Sequence, residues 1–343
     1  MTVSNTAVQS LLKYLQIIIF SALLLYFGKI LFIPLFFGLL IAIVMHPICK
    51  WFEKHGWSKA FAITACLFIV TLLFAALLAI LVWQLKVFSK DAPQIILKLE
   101  ETLQGLQAWL AENIEGSEGL QNNGVEKFTG SIAAILQSTF ETTVNTLFIL
   151  FLTPVYTALF MYHRKVMVQF LQLVTPAKYQ QQLHAILQQT IHTYFNYIKG
   201  MVLVYIIVGI LNSIGLYALG VNHAILFGML CAIMTIIPYV GIFISALLPI
   251  SVVWLQTGNI WYPVGVVAVF SFVQYLEANV IFPKVVGTQL HVSTLAMLLA
   301  IITGGIIWGV AGMVLFIPFV AIFKIISDNI EEWKPINLLL SRK

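Results

Sequence analysis

Long segments without charge constrain the fold of this chain more than any other feature. Between Ala224 and Thr257 there is no acidic or basic residue, whereas a helix that crosses a bilayer needs only about 20 apolar residues. Charged residues make up 9% of the whole chain, against about 25% in soluble domains. A water-soluble core cannot hide this much apolar surface. The sequence therefore predicts an all-α, polytopic integral membrane protein.

Apolar runs and acidic residues divide the chain into six parts. Eight of its 13 acids fall between Val87 and Glu141, where apolar residues recur at helical spacing, and this pattern predicts a polar-faced helical insertion outside the membrane. The predicted parts are N-terminal membrane helices over 1–86, the extramembrane helical insertion over 87–140, a membrane helix over 141–163, a cytoplasmic or interfacial helical connection over 164–199, a transport core with broken segments over 200–327, and a cytoplasmic tail over 328–343.

The first part of the chain is predicted to stay in the membrane. Lys13 precedes an apolar run that has no small-residue cleavage site after it, so the run is interpreted as a retained span rather than a signal peptide. A second apolar run follows it and ends near Cys49. The two runs are predicted to form a helical hairpin with its polar turn at Lys29.

Lysine and arginine set the predicted orientation. The connections 46–59 and 163–199 are basic, and the second contains no acid. Because cytoplasmic loops are enriched in lysine and arginine, both connections are predicted to lie in the cytoplasm. Both termini then lie in the cytoplasm as well. The 87–140 insertion is expected on the outer face of the membrane.

Two apolar segments, Ala224–Thr257 and Ser293–Ile326, are longer than one crossing needs and contain proline or glycine in their middle. They are interpreted either as re-entrant hairpins or as long kinked spans. Backbone breaks at membrane depth are tolerated where they are buried in protein or line a wet cavity, and paired breaks indicate a transporter's binding site. The alternative is that they only kink packed helices. The residues assigned to this path are Thr235, Pro238, Tyr239, Gly241, Gly304 and Gly305, with Asn212 on the preceding span.

One acid lies deep in an apolar segment. Glu277 shares a helical face with Gln274 and with Ile281, and Lys284 follows two turns later on nearly the same face. Intramembrane carboxylates are costly and mostly functional, so Glu277 is predicted to bind a cation, to shuttle a proton or to hold a polar substrate. Its alternative role is that of a structural partner for Lys284 or for a neighbouring backbone break. Asn279 is assigned either to the path or to hydrogen bonding between helices.

Several classes of function are excluded by missing motifs. The 3 cysteines are widely spaced and fit no disulfide framework or metal site. The 7 histidines form no zinc motif, and the sequence has no phosphate-binding loop and no serine nucleophile motif. The basic residues are scattered at segment ends, so no nucleic acid is expected. We expect neither an enzyme nor a bound cofactor or metal.

Three sequence elements together resemble the autoinducer-2 exporter family of bacterial permeases, which are PerM-like. They are I-P-x-V-G at Ile237 to Gly241, E-x-N-x-x-x-P-x-x-x-G from Glu277 to Gly287, and a glycine series at Gly305, Gly309 and Gly312 that ends at Pro318. The resemblance covers nearly the whole chain. It implies about eight membrane segments, a helical insertion after the third span and export of a small polar solute from a bacterium. Some members resemble sodium(lithium)/proton antiporters instead.

The sequence is therefore interpreted as a secondary transporter of the bacterial inner membrane. Its expected solute is small and polar, like autoinducer-2, and its site is expected between the two broken segments and the Glu277 helix. H+ or Na+ is a candidate coupling ion, and membrane lipids are expected partners. The family and the glycine-rich surfaces predict a homo-oligomer. Two alternatives stay open, a cation/proton antiporter and a non-transporting membrane scaffold.

Overall fold

A computed structural model describes residues 5–77, 79–80, 82–83, 86, 151–237, 240–287 and 290–341. The predicted 87–140 insertion lies outside the described residues, as does 141–150 of the predicted helix that follows it. The described helices are α1 (Asn5–Phe27), α2 (Lys29–Lys54), α3 (Lys59–Leu77), α4 (151–174), α5 (Gln180–Ala218), α6 (Ala224–Met234), α7 (Val240–Thr257), α8 (Trp261–Leu276), a π-helical turn (Glu277–Ile281), α9 (Phe282–Val285), α10 (Thr294–Trp308), α11 (Val310–Asn329) and α12 (Lys334–Leu340).

The described part of the chain is helical, which confirms the all-α class that the sequence predicted. Its β-structure is limited to an isolated bridge between Val292 and Ser341. Five of the described helices are long and apolar enough to cross a membrane. The predicted total of about eight membrane segments stays a prediction.

Contacts divide the chain into two compact units. The first unit contains Met1–Phe68, Leu147–Ile198 and Thr288–Lys343, and the second contains Ile69–Thr146 and Lys199–Gly287. Helix α5 has 39 residues and contributes its first half to one unit and its second half to the other. The predicted domain boundary at 199/200 therefore falls inside a continuous helix, and so does the boundary at 163/164 within α4.

The predicted polar turn in the N-terminal part is smaller than expected. Helices α1 and α2 are separated by Gly28 alone, and Lys29 is the first residue of α2. The Gly28 backbone (φ −85°, ψ 12°) lies close to helical values, and the Phe32 N–H donates to its carbonyl at 2.9 Å. Lys29 starts a helix, so its charge did not indicate a turn of several residues.

A charged contact joins α2 to α4 in the first unit. Arg164 on α4 donates to both carboxylate oxygens of Glu53 on α2, at 2.6 and 2.5 Å. Next to it, the Lys59 ammonium group at the start of α3 donates to the Tyr162 carbonyl at 2.5 Å. Both bonds come from the Nη2 atom of Arg164. Such charge-assisted hydrogen bonds are stronger than neutral ones, so the pair ties these helix ends together.

Aromatic side chains hold the start of α2 against α10 and α11. The Phe36 ring packs against Trp308 at 5.7 Å and against Phe319 at 4.8 Å between ring centroids. The Trp308 indole N–H donates to the Leu25 carbonyl at 2.9 Å. Buried tryptophan usually finds such a partner for its N–H, and here that partner ties α1 to the same cluster.

Helices α10 and α11 form a hairpin that turns at Gly309. Gly309 has φ +61°, a backbone conformation that glycine adopts without strain. The two arms touch where Gly304 faces Gly312, and a Cβ on either glycine would overlap the carbonyl of the other. The second over-long segment is therefore broken inside the stretch that the sequence indicated, and small residues let its arms approach closely.

We expect Gly312→Ala to destabilise the α10–α11 hairpin strongly. The alanine Cβ would overlap the Gly304 backbone, which cannot move aside as a side chain can. Forcing an extra group into a tightly packed contact reduces the free energy of unfolding by about 1–3 kcal/mol or more. Thermal unfolding of detergent-purified protein measures the effect. Gly305→Ala is the matched control, since its Cβ meets the flexible Met313 side chain. Equal melting temperatures for the two variants would contradict the close contact.

Candidate transport site

The predicted functional acid lies at an irregular point in its helix. Helix α8 ends at Leu276, and Glu277 begins a π-helical turn that runs to Ile281. Within that turn the Phe282 N–H donates to the Glu277 carbonyl, five residues earlier. Such π-bulges are rare inside α-helices and occur frequently at functional sites.

Pro283 gives a local reason for this irregularity. It is the second residue of α9, it has no N–H, and in a regular α-helix its ring would clash with the carbonyl four residues earlier. That carbonyl belongs to Asn279, in the middle of the π turn. A wider turn before the proline relieves the clash. The proline at position 283 therefore explains why the helix is π-helical from Glu277 to Ile281.

Helix α5 runs antiparallel to the Glu277 helix within the second unit. Where the second-unit half of α5 begins, Gly200 faces the Val285 carbonyl, and just after the helix ends Leu219 packs against Gly265. Gly215 contacts Val269 between these points. Residue numbers therefore rise along α5 while the numbers of the contacting residues fall along the α8–α9 helix, as in an antiparallel pair. By this register Glu277 lies opposite the part of α5 near Val208, about one helical turn from Asn212.

Helix α6 crosses α5 at small residues. Gly228 lies so close to Gly209 and Ser213 that any Cβ there would overlap them. This approach brings two buried polar groups together, because the Asn212 amide donates to the Cys231 sulfur at 3.4 Å and to the Val208 carbonyl at 3.0 Å. The side chain of Asn212 is 1% exposed, as expected for a group enclosed by two helices.

A polar cluster surrounds the Cys231 thiol. The Thr235 hydroxyl donates to the Cys231 carbonyl at 2.8 Å, and the Ser245 hydroxyl donates to the Ile242 carbonyl at 3.0 Å. Both hydroxyls and the Glu277 carboxylate act electrostatically on the thiol. We define the polar cluster as Asn212, Cys231, Thr235, Ser245 and Glu277. They lie on α5, on α6 and the turn after it, on α7 and on the π turn, so four neighbouring elements of one unit supply the cluster.

Two oxygens of the polar cluster have no hydrogen-bond partner among the described residues. They are Glu277 Oε2 and Asn212 Oδ1, and both are fully shielded from solvent. Glu277 as a whole is 8% exposed. An acceptor buried without a donor is costly, and a charged one more so. A proton, a cation or a solute with hydrogen-bond donors would remove this cost, and that is the chemistry the cluster can perform.

The interruption of the first over-long segment lies beside the same cluster. Helix α6 ends at Met234, and α7 begins at Val240. The two helices pack on each other through a core that includes Phe227 and Val253, so they form a helical hairpin with a short connection. Gly241 lies against Met234 so closely that a Cβ would overlap the Met234 carbonyl.

The predicted path residues have different environments. In the second unit, Asn212, Thr235 and Glu277 belong to the polar cluster. Gln274 is half-buried one turn before Glu277, whereas Asn279 and Lys284 are exposed. The Asn279 amide donates to the Tyr275 carbonyl on its own helix at 2.9 Å. Gly304 and Gly305 belong to the first unit, where they pack against α11. Pro238 and Tyr239 lie outside the described residues.

Sequence reasoning missed two members of the polar cluster. Cys231 was considered only as one of three cysteines that fit no disulfide framework or metal site, and Ser245 was not singled out. Both are buried, Cys231 at 0% and Ser245 at 3% exposure. Cys231 and Thr235 are four residues apart, a spacing that places two residues on one helical face, and this signal could have indicated the pair.

A multi-pass helical protein that buries an acid beside an interrupted hairpin is typical of membrane transporters. Residues 15–332 of the chain match the sequence profile of a transporter family, which is described as "AI-2E family transporter". The chain therefore belongs to the AI-2E transporter family. This confirms the resemblance found in the sequence and identifies the protein as a multi-pass membrane protein of a transport family.

Three relatives illustrate the breadth of the family. The chain is 24% identical to YrrI of Bacillus subtilis (strain 168), over 87% of this chain and 86% of that protein. It is 25% identical to YhhT of Escherichia coli (strain K12), over 90% and 87%. It is also 24% identical to the AI-2 transport protein TqsA of Escherichia coli (strain K12), over 92% and 90%. The similarity thus extends over nearly the full length of each protein.

Proposed function

We propose that this protein is a secondary transporter that exports a small polar solute of the autoinducer-2 type across the bacterial inner membrane. The observation that carries the proposal is the Glu277 carboxylate, which is buried within a helical unit with one oxygen unpartnered among the described residues. A carboxylate in this environment is stabilised when a proton neutralises it, when a cation pairs with it or when a solute donates a hydrogen bond to it. That property couples occupancy of the site to a change in conformation.

The name of one relative supports the choice of solute. TqsA is named an AI-2 transport protein, and it aligns with this chain almost from end to end. The polar cluster offers hydroxyl, amide and carboxylate groups, which suit a small molecule rich in hydroxyl groups. Transport as a class follows from the family, whereas the solute and the direction are the content of this proposal.

The second candidate function is sodium(lithium)/proton antiport. The observation that favours it is the pair of unpartnered oxygens, Glu277 Oε2 and Asn212 Oδ1. Oxygen ligands of this kind, one of them charged, suit small hard cations. In this alternative the cluster binds the cation itself, and protons compete for Glu277.

Flux in proteoliposomes tests both candidates. The purified protein is reconstituted and offered labelled autoinducer-2 in one set of vesicles, and sodium or lithium gradients with an internal pH dye in another. Solute counterflow supports export, and cation-dependent proton movement supports antiport. If neither occurs while the protein is correctly inserted, both proposals fail and the scaffold interpretation takes their place.

We assign the α6–α7 hairpin to a re-entrant element beside the solute path. Helix α6 has 11 residues, which is about 16 Å of helix and roughly half of a hydrocarbon core. It cannot cross the bilayer alone. Its partner α7 has 18 residues and contains Pro249. A half-crossing followed by a turn leaves backbone groups free at membrane depth, and such groups are tolerated where they line a wet cavity.

The proposal places both termini in the cytoplasm and the 87–140 insertion on the outer face. It also includes a homo-oligomer, H+ or Na+ as coupling ion and membrane lipids as surroundings. The support is the basic character of the 46–59 and 163–199 connections beside the acidic insertion.

Labelling with an impermeant maleimide tests this orientation. Cysteines introduced at Ser117 and at Ser131 should react in intact spheroplasts, because the proposed outer face is open to the medium. The 3 native cysteines are buried, so the unsubstituted protein serves as the blank. A cysteine at Lys54, which is exposed in the basic connection, is the matched control and should react only after lysis. The reverse pattern would overturn the proposed orientation.

A further inference from the structure

The segment from Glu331 to Ser341, which belongs to the first unit, folds back and forms hydrogen bonds with the residue that precedes α10. The Ser293 backbone N–H donates to the Leu340 carbonyl at 2.6 Å, and the Ser293 hydroxyl donates to the Leu339 carbonyl at 2.8 Å. Beside these bonds, Val292 and Ser341 form an antiparallel β-bridge. We call the Glu331–Ser341 segment the clamp.

Ser293 serves two helix ends at once. Its hydroxyl oxygen accepts from the Ala296 N–H at 3.2 Å, which caps the N-terminus of α10. The same residue supplies donors to carbonyls of the last turn of α12, where a helix has acceptors without intrahelical partners. The start of α10 and the end of α12 are therefore bound through one side chain and its own backbone.

Charged groups hold the other side of the clamp. The buried Lys324 of α11 pairs with Asp328 at 2.5 Å, and Asp328 accepts from the Asn337 amide of α12 at 2.6 Å. At the base, Lys178 pairs with Glu332 at 2.5 Å. The hydrogen bond from Lys178 lowers the pKa of Glu332 to about 2.

The clamp is held by directional polar bonds more than by apolar burial. Leu338 and Leu339 of α12 are 67% and 68% exposed. The Trp333 ring contacts Phe323 at 5.2 Å, and Leu340 packs at the edge of the cluster around Tyr194. Segments with few buried apolar contacts open at lower free energy than the core does. The clamp therefore has the properties of a segment that can open locally as one cooperative unit.

We propose that the clamp is a conformational latch, which must release the start of α10 for transport to proceed. Helix α10 is one arm of the glycine hairpin, and its N-terminus is the end of that arm that the clamp restrains. With the clamp closed, the arm is fixed at Ser293, and with the clamp open it can shift or rotate. This inference rests on the proposed transport function, so its experiment also has a readout that does not need transport.

A disulfide across the β-bridge tests the latch directly. Opposed residues in an antiparallel pair have Cα atoms about 4.5–5.5 Å apart, which matches disulfide geometry. In the Val292→Cys, Ser341→Cys double variant, oxidation by copper phenanthroline should abolish flux in proteoliposomes, and a reducing agent should restore it. The two single-cysteine variants, treated identically, control for the native cysteines. A cross-linked protein that transports at the wild-type rate would overturn the latch, as would a double variant that forms no disulfide.

Hydrogen exchange supplies the readout that is independent of transport. Ser293→Ala removes the hydroxyl bonds at one end of the clamp, and Asn337→Ala removes the bond to Asp328 at the other. Each should speed amide exchange in the clamp and in the first turn of α10 by about tenfold or more. The control is Lys334→Ala, an exposed residue of α12 whose ion pair with Glu331 is also exposed. Unchanged exchange in both test variants would refute the clamp, even if wild-type transport fails and the proposed function is lost with it.

Discussion

Glu277→Gln is expected to fold normally and to lose transport. Glutamine keeps the size of the side chain and its capacity to hydrogen bond, but it cannot take up a proton or become an anion. If the cycle depends on charging and neutralising this group, flux should fall by about tenfold or more, and whatever remains should no longer depend on pH. Flux of reconstituted protein, measured between about pH 5.5 and 8.5, checks both parts.

Two further variants make the Glu277 result specific. Glu277→Asp keeps the charge but retracts it by about one methylene, so partial activity with a displaced pH optimum is expected. Tyr275→Phe is the matched control, since this side chain is exposed on the same helix and its backbone carbonyl is unaffected. Wild-type flux from the glutamine variant across the pH range would show that Glu277 is structural.

The structural alternative for Glu277 makes an opposite prediction about stability. If the carboxylate were only a partner for Lys284, its neutralisation would leave that lysine without its counter-charge. Lys284 is exposed, however, and the described residues show no ion pair between the two. The melting temperature of Glu277→Gln should therefore stay at or above the wild-type value, since a costly buried charge is removed.

The sequence predicted the broken segments because proline and glycine act locally. Pro238 and Gly241 cannot maintain a strong helix at membrane depth, and the structure ends α6 at Met234. Glu277 was predicted for a similar reason, since one acid in an apolar run is conspicuous whatever surrounds it. Features of this kind depend on the identity of a few neighbouring residues, and a single sequence shows them directly.

Contacts between distant segments were beyond such reasoning. The sequence placed Gly304 at a backbone break and Gly312 in a glycine series, but it did not show that these two residues contact each other across the hairpin. Cys231 became a site residue only because α5 and α6 cross at Gly209 and Gly228. Which faces meet is decided by the packing of whole helices. The π turn likewise altered the regular spacing that had placed Lys284 on the face of Glu277.

Gly241→Ala is expected to assemble but to transport poorly. Gly241 is buried where α7 begins, and its N–H donates to the Ile237 carbonyl at 3.1 Å. A Cβ at this position would overlap the Met234 carbonyl, so the end of α6 and the start of α7 must separate. Separation at this point displaces Thr235, which belongs to the polar cluster around Cys231. We expect flux to fall by about tenfold or more, as small displacements of binding groups commonly cause.

The matched control for this variant is Gly265→Ala in the same unit. Its Cβ would meet the end of the Leu219 side chain at 3.0 Å, and that side chain can adjust. Both variants add one methyl group and raise helix propensity, so they differ mainly in whether the hairpin must open. Circular dichroism and size-exclusion chromatography establish that each variant is folded before flux is compared. If Gly241→Ala transports as well as Gly265→Ala does, the closeness of α6 and α7 matters only for packing. The break between α6 and α7 would then only kink packed helices, because a change in their separation would leave solute transport unaffected.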